Sequence, residues 1–585
     1  MNSSLVLLLK RLDEERESLA EFEIANKIER NFDGDKSDID FISEIIAFDL
    51  TPDYEAKKGS WGFYYGPKYL YTNEDGSTSE YPSLSSIDAQ MINYWTKRIE
   101  NTNNPIMRAR YADLVWEFSK HITGESPSHK IAQEVVDNNI LIVKEKLYKY
   151  KNWAITKLER ALNVALTIRD NSRIECVKET IIETEDRIAE DDKPGLWGFS
   201  FDLLLDNKKI KLKDEEIEKI INDLENRVSR LRMQDEADPW AVEAAAIRLA
   251  RYYQKNNKRE EVIRVMKEVE KEYIKKGEDA SPIQVQAWME NLHELFLQFQ
   301  MNKEAEGIRK KLNELGPQVI ENLSTISHSM EISEQEINDF VNLFLSDDIY
   351  KDIAIISYKF VPKKDQIEQQ VLELSEASPL SFFITKSLLG EDGRTVAKIG
   401  SLEEDFEGNI IQQITQNLNV QIFFLNKVLD KFFEHHSLDS EKLLRILMES
   451  PIFNEDKKEL LQKGIEMYFN EDYIAAIHIL IPQIEAAFRR LINLSGGVTL
   501  KPSKNYGGFR VKLFGEILSD PIIEEVFSED HKLYFKVLFV DPRGLNLRNN
   551  VSHSLNSVNT FNKANANLLI HVLFNLSLVR YVEKK

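Results

Sequence analysis

Leu, Ile and Phe recur at spacings of three and four amid Glu and Lys along almost the whole chain, the period of amphipathic helices. Alternating strand patterns are scarce, so the pattern predicts an all-α protein. The clearest departure is TPDYEAKKGSWGFYYGPKYLYTNEDGSTSEYPSLSS, residues 51–86, where Gly, Pro and Ser interrupt the helical period. It reads as an ordered loop or short hairpin between helices. Its aromatic run (Trp61, Phe63, Tyr64, Tyr65, Tyr69, Tyr71) suits packing on neighbouring helices, with base stacking as the alternative use.

Residues 1–105 form an N-terminal helical region carrying this loop, and 106–320 read as stacked helical hairpins. ARYYQKNNKREEVIRVMKEVEKEY and FLQFQMNKEAEGIRKKLNEL align at an offset of 45, matching Asn257 to Asn302, Lys258 to Lys303 and Ile263 to Ile308. IRDNSRIECVKETIIE, from Ile168, repeats the form of apolar helix, Asn-centred polar turn and second amphipathic helix. Three such units suggest a tetratricopeptide-like solenoid, because one hairpin cannot bury its own apolar face. Such arrays take a protein partner along a concave surface; an irregular helical domain without a ligand is the other reading.

A boundary is expected near Leu315-Gly316-Pro317, followed by a helical connecting domain over 321–450 with a turn at Gly390 to Ser401. His435 and His436 follow Glu434, but adjacent histidines point to different helix faces and no HExxH spacing occurs. A solvated helix end is the expectation there, and no metal site is assigned.

Residues 451–585 parse into four or five helices. In YIAAIHILIPQIEAAFRRLINL, Ile477, Leu480, Ile481, Ile484, Phe488 and Leu491 form one apolar stripe. His478, Glu485 and Arg489 flank it within about 40° at 100° per residue. Glu485 and Arg489, four apart, can pair; the functional reading makes these three a supporting layer that orients an active-site Arg or His. TLKPSKNYGGFRVK then carries Lys501, Lys504, Arg510 and Lys512 around a Gly pair, either a plain loop or a mobile basic flap tracking RNA phosphates. An apolar helix over 531–540 leads through Asp541-Pro542-Arg543-Gly544 to a new helix starting at about 545–547. A strongly apolar helix over 564–581 closes the bundle.

A chain of 585 residues exceeds one ordinary core and predicts three or four domains. Cys176 is the only cysteine, excluding internal disulfides and multi-cysteine zinc sites and fitting a reducing cytoplasm. The apolar run Leu5 to Leu9 is too short for a signal-peptide core, and no stretch reaches the length of a membrane helix. The net charge of −22 argues against broad nonspecific nucleic-acid binding. Residues 451–585, however, hold 17 Lys/Arg against 15 Asp/Glu, a net +2 that leaves −24 on the first 450.

That least acidic piece contains Arg548-Asn549-Asn550-Val551-Ser552-His553 at the expected helix start. Arginine grips phosphate with a charged planar fork, and histidine moves protons near neutral pH. Orphan amides and the positive end of the helix dipole favour phosphate in the first turns. Asn549 and His553 share a helical face, so the amide can orient the imidazole. Arg548 and His553 stand about 140° apart on a regular helix. One straight helix therefore presents them poorly to one phosphate, whereas a symmetric dimer would pool two of each in one cleft.

RNNVSH inside a C-terminal helical bundle resembles the R-x4-6-H motif of the HEPN superfamily (higher eukaryotes and prokaryotes nucleotide-binding domain). Arg548, Asn549 and His553 match it position by position over about 130 residues of resemblance. GLNLRNNVSH, preceded by IPQIEAAFRR, is similar to a bacterial HEPN branch with long helical N-terminal regions. The resemblance implies RNA cleavage by homodimers without metal or cofactor, often in toxins and antiviral defence. His553 would serve as general base or acid, Arg548 would neutralise the phosphorane, and Asn549 would position its neighbours. Leu555 stands where a nucleotide-accepting toxin subgroup has Tyr. The alternative to a ribonuclease is a non-catalytic helical scaffold or nucleotide-binding protein that uses the bundle to dimerise.

Overall fold

The computed structural model describes residues 3–15, 20–52, 61–73, 77–234, 238–324, 331–503 and 507–581. Among these residues there are 26 α-helices and four two-stranded hairpins, and the chain is all-α. No helix is long and apolar enough to cross a membrane among the described residues. The chain divides into two compact units, Met1–Ala280 with Trp288–Glu306, and Ser281–Ala287 with Gly307–Lys585.

In the first unit, helices Glu21–Asn31, Ile39–Asp49, Ala89–Asn101, Pro105–Thr123, His129–Lys144, Lys151–Ile168 and Asn171–Ile188 each pack on the next. Asp38, Asp88, Asn104 and Asp170 cap four of them by accepting from first-turn amides. Asp214–Arg232, Pro239–Lys255 and Arg259–Gly277 continue in the same manner. The polar turns close with one device. Lys146, Arg169, Asn257 and Gln300 take positive φ, and the following amide donates five residues back, as Lys258 N does to Tyr253 O at 2.8 Å. The Asn-centred turn read at Asn257 is thus a left-handed helix stop.

The departure at 51–86 contains two small ladders, Thr51–Pro52 with Tyr65–Gly66 and Tyr69–Thr72 with Thr78–Tyr81. Its aromatics are divided. Phe63 packs on Phe118 at 4.7 Å, and Tyr64 and Tyr65 lie under Arg160 and Arg110 at 3.9 and 4.3 Å. Tyr69 and Tyr71 stay exposed on the outer hairpin. Packing therefore takes the inner half of the run.

In the second unit one hydrophobic core runs from Val341 to Leu576. The boundary read at 450 therefore falls inside a single core. Its spine is the helix Lys563–Ser577, buried on every side from Ala566 onward, as its all-round apolar pattern requires. Its polar groups are partnered: Tyr468 bonds Asn567 at 2.5 Å, Asn567 bonds Asn426 at 2.7 Å, and Tyr534 bonds His571 Nδ1 at 2.7 Å.

Helix Asn302–Glu321 runs unbroken through Gly316 and Pro317, where a boundary was expected, and the two units divide earlier in that same helix, between Glu306 and Gly307. Gly316 instead lets a hairpin turn approach, since a Cβ there would stand 2.2 Å from the Asp392 carbonyl oxygen. The turn read at 390–401 is in part borne out: residues 390–394 turn between Lys386–Leu389 and Thr395–Ile399, and the latter form a ladder strand, which their β-branched residues suit. His435 and His436 end the helix Phe406–His435, bonding the Ser346 carbonyl at 3.0 Å and Asp352 at 2.8 Å.

Candidate functional site

The segment 451–581 contains seven α-helices among its described residues, more than the four or five expected, because Phe514–Leu518, Pro521–Val526 and Leu547–Ser552 are short. Tyr473–Leu494 matches its sequence reading end to end, and Asp472 caps it by accepting from Ala475 N at 3.0 Å.

Leu547–Ser552 is the motif helix. Val537 of the preceding helix, Glu529–Phe539, accepts from both Leu545 N and Asn546 N, at 2.9 and 3.3 Å. That fold-back requires Gly544, where a Cβ would lie 2.5 Å from the Val537 oxygen. Left-handed residues bracket the motif helix, Asn546 at φ 49° and Ser554 at φ 53°. Leu555 N closes the end onto Asn550 O at 2.9 Å.

Within this frame Arg548 is held on two sides. Its Nε donates to Glu485 Oε2 at 3.0 Å and its Nη1 to Asn549 Oδ1 at 3.1 Å. Nη2 has no partner among the described residues, and the side chain is 23% exposed, so this edge faces outward. Glu485 pairs through its other oxygen with Arg489. Two guanidinium groups around one carboxylate leave a net positive charge, suited to a phosphate. Behind Arg548 the amides form a relay. Asn549 Nδ2 donates to Asn546 Oδ1 at 2.8 Å, Asn546 Nδ2 to Asn550 Oδ1 at 3.2 Å, and Asn550 Nδ2 to Leu545 O at 3.4 Å.

His553 lies just past the motif helix, its backbone N–H on Asn549 O at 3.0 Å. Its ring is exposed and bonds no described residue. Asn549 therefore orients Arg548 rather than the imidazole expected from their shared face; its side chain is fully engaged elsewhere.

Of the supporting residues, Glu485 and Arg489 join Arg548. His478 does not: its Nδ1 bonds Ile474 O at 2.8 Å and its ring stacks on Phe561 at 4.8 Å. The basic segment is a paired hairpin, Leu500–Pro502 with Phe509–Val511, rather than an open flap. Lys501 pairs with Glu516, Arg510 reaches Glu516 at 3.4 Å, and Lys512 reaches Asp520 at 2.8 Å. Lys504 lies outside the described residues. Sequence reasoning missed Asn546 and Asn550, whose only signal was the density of asparagine around the motif. No protein-family model, no curated protein and no solved structure matches the chain.

Proposed function

We propose that this chain is a metal-independent endoribonuclease of the HEPN type, acting as a homodimer in the cytoplasm in bacterial stress or antiviral defence. The observation that carries the reading is Arg548, fixed by Glu485 and Asn549 with Nη2 unbonded among the described residues, five residues before an exposed His553 whose ring bonds no described residue. A pre-oriented cation with an outward edge stabilises charge that develops during reaction without reorganising.

In the proposed reaction His553 takes the proton of a ribose 2′-hydroxyl. The 2′-oxygen attacks the adjacent phosphorus, and Arg548 Nη2 binds a non-bridging oxygen as charge builds there. The bond to the 5′-oxygen breaks, leaving a 2′,3′-cyclic phosphate on one product. The leaving oxygen takes a proton from a protonated histidine, His553 of the second copy. One imidazole thus acts as base and the other as acid, a division that a symmetric cleft permits.

His553→Ala tests this. Cleavage of a single-stranded RNA should fall at least about a thousandfold, while the oligomeric state by light scattering stays unchanged. Wild-type activity should survive EDTA. A His553→Ala protein that cuts as fast as wild type sinks the reading and leaves the bundle as a binding or dimerising module.

A further inference from the structure

The other end of the Glu485 bridge opens on a second feature. Arg489 lines a cavity of about 310 Å³ between the last turns of Tyr473–Leu494 and the segment that leads into helix Lys458–Phe469. Its polar lining is Asn454, Lys457, Gln483, Arg489, Arg490 and Asn493, three cations and three amides with no carboxylate. In a chain of net charge −22 that composition is selective.

These groups also have donors to spare. Lys457 has no ion-pair partner among the described residues, and its neighbour Glu455 is taken by Lys458. Arg490 spends only its Nε, on the Pro451 carbonyl at 2.9 Å. Arg489 Nη1 is buried and bonds no described residue. The amide nitrogens of Asn454, Gln483 and Asn493 donate to no described residue. Cations near a helix C-terminus also suit the dipole, but neither arginine bonds the terminal carbonyls of this helix. Unused donors converging on one cavity call for an acceptor-rich anion. Buried Ile452 and Phe453 complete the wall and offer an apolar surface to a sugar or base.

We propose that this cavity binds the phosphate ester of a nucleotide, either within an RNA strand or as a free mononucleotide. The sharing of Glu485 links it to Arg548, so occupancy at Arg489 would shift Glu485 toward Arg548. The site itself stands on its own residues and does not depend on cleavage.

The full chain is titrated at constant ionic strength with two probes, a fluorescein-labelled 2′-O-methylated 12-mer, which 2′-hydroxyl chemistry cannot cut, and AMP. Lys457→Gln/Arg490→Gln should weaken binding by about tenfold or more, the scale of losing charge-assisted hydrogen bonds. Lys457→Gln alone, on the exposed rim and without structural bonds, should weaken it about threefold. Lys463→Gln, an exposed charge on the neighbouring helix paired with Glu466, should change it less than about twofold. Loss for both probes supports a free-nucleotide source, and loss for the 12-mer with no AMP binding by wild type supports a strand phosphate. Wild-type affinity retained within about twofold in the double variant, or no binding of either probe by wild type, overturns the proposal. Because neither probe is cut, a failure of His553→Ala to abolish cleavage would sink the ribonuclease reading and leave this one standing.

Discussion

At the scale of single residues, a carboxylate on helix Tyr473–Leu494 holds the arginine that the sequence assigns to the motif alone. Glu485 neutralises part of the Arg548 and Arg489 charge and fixes the plane of the Arg548 fork. Glu485→Gln keeps an acceptor in place but removes the ionic hold, so Arg548 gains rotamer freedom. RNA cleavage is expected to fall about tenfold to a hundredfold, mostly in kcat, as preorganisation is lost. Steady-state kinetics check this, and an unchanged kcat would show that Arg548 needs no such support. Arg548, Asn549 and His553 can be picked out of the sequence because they lie within six residues. The role of Asn549 cannot, because its side-chain partners, Arg548, Asn546 and the Val540 carbonyl, compete with His553 only in three dimensions.

At the scale of elements, the motif helix is too short to be stable by itself, with six residues and few hydrogen bonds of its own. It persists because its entry is bonded to Val537 and its exit is closed onto Asn550. Gly544→Ala would drive a methyl into the Val537 carbonyl and is expected to cost about 2 kcal/mol. The same variant should lower cleavage by moving Arg548 away from Glu485. Urea denaturation followed by circular dichroism measures the first effect, and wild-type stability would rule out the fold-back as the anchor. Pro542 and Gly544 announced a turn in the sequence. That the turn docks on one particular carbonyl was decided by packing.

At the scale of the whole molecule, the second unit buries a titratable group at its centre. His571 is fully buried between Tyr534, Asn575 and the Ile356 carbonyl, and burial pushes its pKa from the ordinary 6.5 down to about 4. Between those values the unfolded chain binds a proton that the folded chain refuses. The contribution of a neutral His571 is therefore complete above about pH 6.5 and is lost as pH falls toward about 4. The slope is at most about 1.4 kcal/mol per pH unit, for a total of about 3 kcal/mol. Urea midpoints from pH 7 to 4.5 should fall more steeply for wild type than for His571→Gln. Parallel curves would show that His571 does not carry the acid sensitivity.

The all-α class, the span Tyr473–Leu494 and the helix start at the RNNVSH segment are readable from the chain alone, because helical period and caps are local properties. Tertiary structure alone decided that residues 341–576 share one core, that the Lys501 hairpin turns its charges onto Glu516 and Asp520, and that His478 stands apart from Glu485. It also decided that Glu485 carries Arg489 and Arg548 together, 63 residues from the motif arginine. Such pairings depend on which helix faces meet, and no spacing along the chain encodes that.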